Sequence, residues 1–233
     1  MAPAPEPESA LLAWLGTHQL QPPPEWPARI ARFHQLLLAA NADCNLTAIT
    51  GYGDFLHKHI ADSLLLAAAC PALRTAALDL ADIGCGGGFP GLPLALTFPR
   101  LRCVEIDSLA KKVALVGRFI EDLHLTGCRA VAGSARELAR RPEFAGHFDL
   151  VVVRAVGDTP DLIKTCRGFL KPAGQLVAYK TPAQVEAERL LVEREAAKFH
   201  LAVSVSPIFD LPASAGQRQF WLLTRAAAVP SQS

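Results

Sequence analysis

The sequence predicts an α/β fold: a mostly parallel, doubly wound sheet, preceded by a helical extension and closed by an antiparallel hairpin. Three observations carry this expectation. From Leu78 onward, short apolar runs alternate with longer helical patterns, the arrangement that buries a parallel sheet between two helical layers. The first run ends in D-I-G-C-G-G-G-F-P-G-L-P over 82–93, with Gly84, Gly86, Gly87 and Gly88 packed into five positions. The last two apolar runs follow one another across Pro207–Gly216 with no helix between them. So short a connection cannot make a parallel crossover.

Size and composition agree. The chain has 233 residues, 51% of them hydrophobic, and a formal net charge of +1. That suits a helical extension over 1–75, one sheet domain over 76–226 and a tail over 227–233. No uncharged apolar run of about eighteen residues occurs, so no membrane span is expected. The start, M-A-P-A-P-E-P-E-S, carries acids and prolines where a signal peptide carries positive charge. The six cysteines are scattered without a C-x-x-C, which fits reduced thiols and a cytoplasmic protein. The histidines are scattered too, and no metal is expected. Charge is distributed unevenly: residues 1–107 sum to −4, residues 108–180 to +5, and the remainder is balanced. The positive segment borders the expected site, a hint of a surface for a polyanion. Solvated helix faces would give the same count.

Taken in order, residues 1–8 read as disordered. Ser9 reads as the cap of a short helix with Leu11, Leu12, Trp14 and Leu15 on one side, broken by Pro22-Pro23-Pro24. A second helix is expected over 24–40, with Ile30, Phe33, Leu36 and Leu37 at helical spacing. A polar loop, Asn41–Thr47, precedes a third helix starting near Asp54. Strands are expected at 78–83, 101–106, 128–132, 148–153, 174–179, 201–208 and 218–224. Helices are expected at 90–97, 108–125, 134–140, 158–169 and 183–199. From Ala226 the chain is small and polar enough to fray.

The glycine loop exists so that backbone can approach something closely, and at a strand-to-helix junction that is usually a ligand. Gly86-x-Gly88-x-x-Gly91 fits the dinucleotide fingerprint, a weak signal alone. Gly84-x-Gly86-x-Gly88, preceded by Asp82, resembles motif I of class I S-adenosylmethionine-dependent methyltransferases. It starts directly at the strand end, and an acid there suits a cationic ligand better than a pyrophosphate. The second strand ends at Asp107, with Glu105 on the same face. An acid at that end is where a doubly wound fold holds a ribose, which favours Asp107, although capping the next helix is an equally physical use.

Five blocks resemble one family: Asn45-Leu46-Thr47, His59–Leu64, the loop Asp82–Ala95, Asp107-Ser108-Leu109-Ala110-Lys111-Lys112 and Phe148–Ala155. They are similar to the glucose-inhibited division protein B family, the guanine-N7 methyltransferases of small-subunit (16S) ribosomal RNA. The resemblance implies a Rossmann-like class I methyltransferase domain over 76–226, S-adenosylmethionine as cofactor, and 16S RNA or the small ribosomal subunit as partner to a monomer. It places Asp82, Gly84, Gly86, Gly88, Phe89, Asp107, Ala135, Arg136 and Arg154 at the cofactor. It places Asn45, Thr47, His59 and Lys180 toward the substrate; Lys111 and Lys112, just after the end of the second strand in the positive segment, are expected to neutralise RNA phosphates or to solvate the helix surface. Two positions depart from the family pattern. Many members carry an acid where Arg136 stands, so a contact there is expected through backbone. Thr181 replaces a usual glycine after Lys180, which stiffens that loop.

Guanine N7 has a free lone pair and no proton, so the implied reaction needs alignment rather than a general base. The sequence offers no N-P-P-Y or D-P-P-Y, no Pro-Cys pair and no G-x-S-x-G. Arg154 is the residue expected to position donor or base. Three other classes share some features: a methyltransferase for small molecules or proteins, an NAD-linked oxidoreductase, and an RNA-binding module with a vestigial loop.

Overall fold

The computed structural model describes residues 6–226. The fraying tail over 227–233 and the first five residues of the expected disordered start lie outside it. Within it, the start is already helical. Helix α1 spans Pro7–Thr17, entered through Glu6 with proline in its first turn and no side-chain cap. Ser9 is therefore inside the helix rather than capping it, because proline's fixed φ starts the helix earlier. Leu11, Trp14 and Leu15 are buried and Leu12 is exposed. Helix α2 spans Trp26–Cys44 and ends at Asn45, four residues beyond the expected stop. Ile30, Phe33 and Leu37 form its buried face.

The third helix is three pieces: α3 (Tyr52–Phe55), a π turn (Leu56–Ala61) and α4 (Asp62–Leu64), followed by α5 (Leu66–Ala69). Such π turns cluster at functional sites, and apolar spacing does not reveal the extra residue. His57 faces the Pro7 carbonyl, while His59 faces Thr47.

The sheet contains β1 (Asp79–Ile83), β2 (Arg102–Asp107), β3 (Cys128–Ala132), β4 (Phe148–Arg154), β5 (Leu170–Lys180), β6 (Leu201–Val205), β7 (Phe209–Asp210) and β8 (Gln217–Arg225). The order is β3-β2-β1-β4-β5-β8-β6, with the short β7 paired to β8. β1 to β5 are parallel; β8 is antiparallel to both β5 and β6. The crossovers are α6 (Gly91–Thr97), α7 (Ala110–Asp122), α8 (Ala135–Leu138) and α9 (Thr159–Cys166), with α10 (Pro182–Lys198) after β5. The expected strand over 201–208 is shorter, and β5 starts earlier than position 174. Lys171–Gly174, left outside the expected strand, forms an irregularity inside β5, where the register against β4 shifts.

Strand alternation divides the core in two. Leu80, Leu150, Val152 and Val177 face the N-terminal helices, α6 and α7. Ala81, Ile83, Val151, Val153 and Leu176 face α9 and α10. The register pairs Ile83 with Ile106 and Val153, and Arg154 with Tyr179. Asp107, Arg154 and Lys180 therefore finish at one edge of the sheet. Lys180 pairs across to Gln219 in β8, which carries Arg218 to the same edge.

Candidate cofactor and substrate site

The loop after β1 is held from both sides. The Gly84 and Cys85 amides donate to the Ile106 carbonyl at 2.8 and 3.1 Å, and the Gly86 amide donates to Asp107 Oδ2 at 3.1 Å. Gly84, Gly86 and Gly88 all have positive φ. At Gly88 (φ +89°) a Cβ would also lie 2.5 Å from Leu92 Cδ1, so glycine is required twice over. At Gly86 (φ +56°) the nearest atom to a Cβ is 3.9 Å away, so bare backbone faces open space there. A side-chain-free cradle beside a half-buried carboxylate fits the ribose and amino-acid ends of S-adenosylmethionine.

Asp107 ties two segments together. Besides Gly86, it accepts from the Leu109 amide at 2.9 Å, so it fixes the loop and the entry to α7 together. Asp82 departs from expectation. It is fully buried, and its Oδ2 accepts from the Gly91 amide at 2.8 Å. It stands beneath the loop rather than facing the cleft. Its carboxylate also fills the N-terminus of α6, where a dinucleotide pyrophosphate would have to sit, which counts against the oxidoreductase reading.

Glu105, opposite Asp82 in the register, is buried as well. Asp82 Oδ1 and Glu105 Oε2 find no donor elsewhere; a proton kept on Glu105 and donated to Asp82 satisfies both. Burial raises both carboxyls, Asp82 to about 7 and Glu105 well above its ordinary range. The unfolded chain loses these protons near pH 4, so the pair weakens the fold as pH rises from there through 7. Glu105→Gln removes one of the two titrations. Its melting temperature should gain on the wild type between pH 5 and pH 8. A difference that stayed constant with pH would show that the pair does not share a proton.

The helical extension closes over the loop. Leu37 and Leu46 approach Gly87, and Phe33 meets the Phe89 ring at 5.2 Å. The His59 ring stacks on Phe89, centroids 4.3 Å apart and 15° between planes. His59 Nδ1 lies 3.0 Å from Arg154 Nη2, and its Nε2 lies 2.8 Å from Thr47 Oγ1. Guanidinium can only donate, so Nδ1 accepts and Nε2–H donates to Thr47. Burial, followed by the nearby Arg154 charge, pushes His59 down to about 3. The imidazole is neutral and both its nitrogens are engaged.

Arg154 continues the chain. Its Nη1 donates to Asp62 Oδ2 at 3.0 Å, and its guanidinium lies 5.1 Å over Phe89. Asp62 is buried and also takes both ends of the Arg218 fork. Asp62 and Arg218 were not among the expected site residues. Asp62 lies in the His59–Leu64 block, but nothing local marks its partner 156 positions away. Asn41 was likewise missed: its side chain clasps the Thr47 amide and carbonyl, both at 2.9 Å. Asn45 is exposed at the end of α2, with φ +20°, and its side chain does not join this network.

Lys58, His59, Asp62, Arg154, Lys180 and Arg218 line an open cleft of about 560 Å³. A larger groove, about 630 Å³, lies between Leu20, Leu73 and Arg100, away from these groups. Lys180 is buried and tied to Glu188 Oε1 at 2.8 Å and the Gly157 carbonyl at 3.2 Å. It braces the β4–α9 loop rather than offering a free cation. Thr181 explains its own presence: with Gln184 it forms a capping box on α10. Lys111 donates to the Asp43 carbonyl and fastens the extension to α7, while Lys112 is half-buried beside it. Ala135 opens α8 just past Gly133, whose amide donates to the Asp107 carbonyl. The Arg136 side chain is exposed and turned into a groove between α8 and α9.

Residues 27–211 match the family model described as rRNA small subunit methyltransferase G. The chain is 35% identical over 211 residues to the ribosomal RNA small subunit methyltransferase G of Levilactobacillus brevis, spanning 88% of this chain and 84% of that protein. It is 38% identical over 187 residues to the protein of the same name from Gloeobacter violaceus, spanning 80% and 73%. Among solved structures it resembles the O-methyltransferase from Bacillus cereus in complex with SAH. The TM-score is 0.56 at 17% identity, covering 83% of this chain and 90% of that one. That likeness speaks for the class I methyltransferase fold.

Proposed function

The chain belongs to the rRNA small subunit methyltransferase G family, and on that basis we propose that it transfers a methyl group from S-adenosylmethionine to N7 of a guanine in 16S ribosomal RNA. The cofactor supplies an electrophilic methyl on a sulfonium. Gly84–Phe89 and Asp107 would hold it, and the cleft beside Arg154 would take the base. The observation that carries this reading is the state of His59. Among the described residues the one imidazole lining the cleft is neutral and spent on Thr47 and Arg154, so it is not free to act as a general base. N7 needs none, because its lone pair carries no proton. What remains for the residues is to hold the base flat against fixed neighbours and in line with the methyl.

Methyl transfer from labelled cofactor to 16S RNA and to 30S particles, followed by mapping of the modified base, tests the proposal. Cofactor binding with transfer to neither would move the substrate to a small molecule or a protein. An RNA substrate of this kind is consistent with a cytoplasmic protein.

Asp107→Ala should weaken cofactor binding by about 1–3 kcal/mol, the range for an unmet buried partner, read by calorimetry. Asp107→Asn keeps acceptors for Gly86 and Leu109 and should lose less. Wild-type affinity in the alanine variant would remove Asp107 from the site.

A further inference from the structure

The positive charge of residues 108–180 does not all face the cleft. Arg136, Arg140, Lys164 and Arg167 converge on a groove of about 440 Å³ beside α8 and the end of α9. Arg167, Gly168 and Phe199 also line a second hollow of about 460 Å³ that reaches Arg225. The two make one continuous track. It starts just past the carboxyl end of β3 and ends where β5 and β6 begin. Among the described residues no carboxylate lines either part.

These cations are not consumed by the fold. Among the described residues, Arg136, Arg140 and Arg167 make no ion pair. Lys164 has Asp161, an exposed neighbour on its own helix. Glu195, on the adjacent α10, is held by Lys198 at 2.7 Å. The Arg167 guanidinium lies 4.1 Å over the Phe199 ring, which fixes its plane in the floor of the track. Gathering like charges around a concavity without a counter-charge works against the compact state. Guanidinium forks suit phosphate oxygens, which they grip in pairs.

We infer that this track carries the sugar–phosphate backbone of the RNA substrate beyond the cleft, as a contact separate from the methylated base. The inference rests on the RNA reading above. Leu162 of α9 lines the cleft and Lys164, two residues on, lines the track, so α9 runs along both and a strand leaving the cleft can follow it.

The test uses the full chain with Arg140→Ala, Lys164→Ala and Arg167→Ala combined, none of which touches the cleft. A fluorescent 16S RNA fragment is titrated by anisotropy across a salt series, beside methyl transfer. Each phosphate contact on a single strand contributes about 0.7 to the slope of log affinity against log salt. The triple variant should therefore bind about tenfold more weakly, with a slope shallower by about 2. Cofactor affinity and kcat at saturating RNA should stay at wild-type values. A second variant, Arg140→Lys with Arg167→Lys, keeps the charge and should keep the slope and most of the affinity, whereas a packing role for Arg167 on Phe199 predicts an affinity loss as large as in the alanine variant. Wild-type affinity and slope in the alanine variant, with RNA methylation intact, would overturn the track. A wild-type protein that neither binds nor methylates the RNA would instead overturn the functional reading, and the track with it.

Discussion

Gly91→Ala is expected to destabilise the protein by about 3 kcal/mol, the upper range for forcing an extra carbon into a packed core. The glycine is buried at the first position of α6, between that helix and β2. A Cβ there would fall inside the Glu105 carboxylate and 2.9 Å from Cys103 Sγ. Neither neighbour can move cheaply. Glu105 is fully buried opposite Asp82, and Cys103 donates to Glu105 Oε1. Displacing Glu105 would also disturb Asp82, which holds the Gly91 amide. Chemical denaturation measures the loss. Glu105→Ala empties the space the new methyl needs, so Gly91→Ala should cost much less in that background, with a coupling of about 1 kcal/mol or more. An unchanged denaturation midpoint in Gly91→Ala would mean that α6 is not seated on β2 as described. The same substitution should weaken cofactor binding, since the loop and α6 share one anchor.

This pair of acids shows where sequence reading succeeds and where it stops. Asp82 and Glu105 are visible as strand residues, and alternation puts Glu105 on the face of Asp107, but that Glu105 stands opposite Asp82 follows only from the register between β1 and β2. Their burial under α6 is not visible either, because strand periodicity says which face a residue takes and not what covers it. The strands, the crossovers and the antiparallel end were legible because each rests on a local period or a short connection. The irregularity in β5 was not, because Pro172 and Gly174 have the same local preferences inside a strand as in a turn. The π turn was hidden for a similar reason: one extra residue leaves the apolar spacing intact. Thr181 could have been read, since T-P-A-Q before an apolar helical run is a capping signal. Asp62 and Arg218 could not, because their pairing exists only once β8 has inserted beside β5.

Arg154→Ala is expected to lower kcat about 100-fold, the effect of a displacement of roughly an ångström between reacting groups, while changing RNA and cofactor affinity little. The side chain holds three things in one plane of contact: the Asp62 carboxylate, His59 Nδ1 and the Phe89 face. Phe89 belongs to the cofactor loop, His59 to the helical extension, and Arg154 to the end of β4. Removing the guanidinium frees the two halves of the cleft from each other. The fold should survive, because Asp62 keeps the Arg218 fork. Arg154→Lys should not restore activity, since a single ammonium cannot serve the carboxylate and the imidazole while stacking on the ring. A second signature follows from charge. Arg154 is one of the two causes that press His59 down to about 3, burial being the larger. Without it the imidazole titrates at higher pH, so falling pH should protonate His59 sooner in the variant than in the wild type, a change that NMR of the ring reads directly. Wild-type kcat in Arg154→Ala would dismiss the positioning role. Lost RNA affinity with kcat intact would make Arg154 a phosphate ligand.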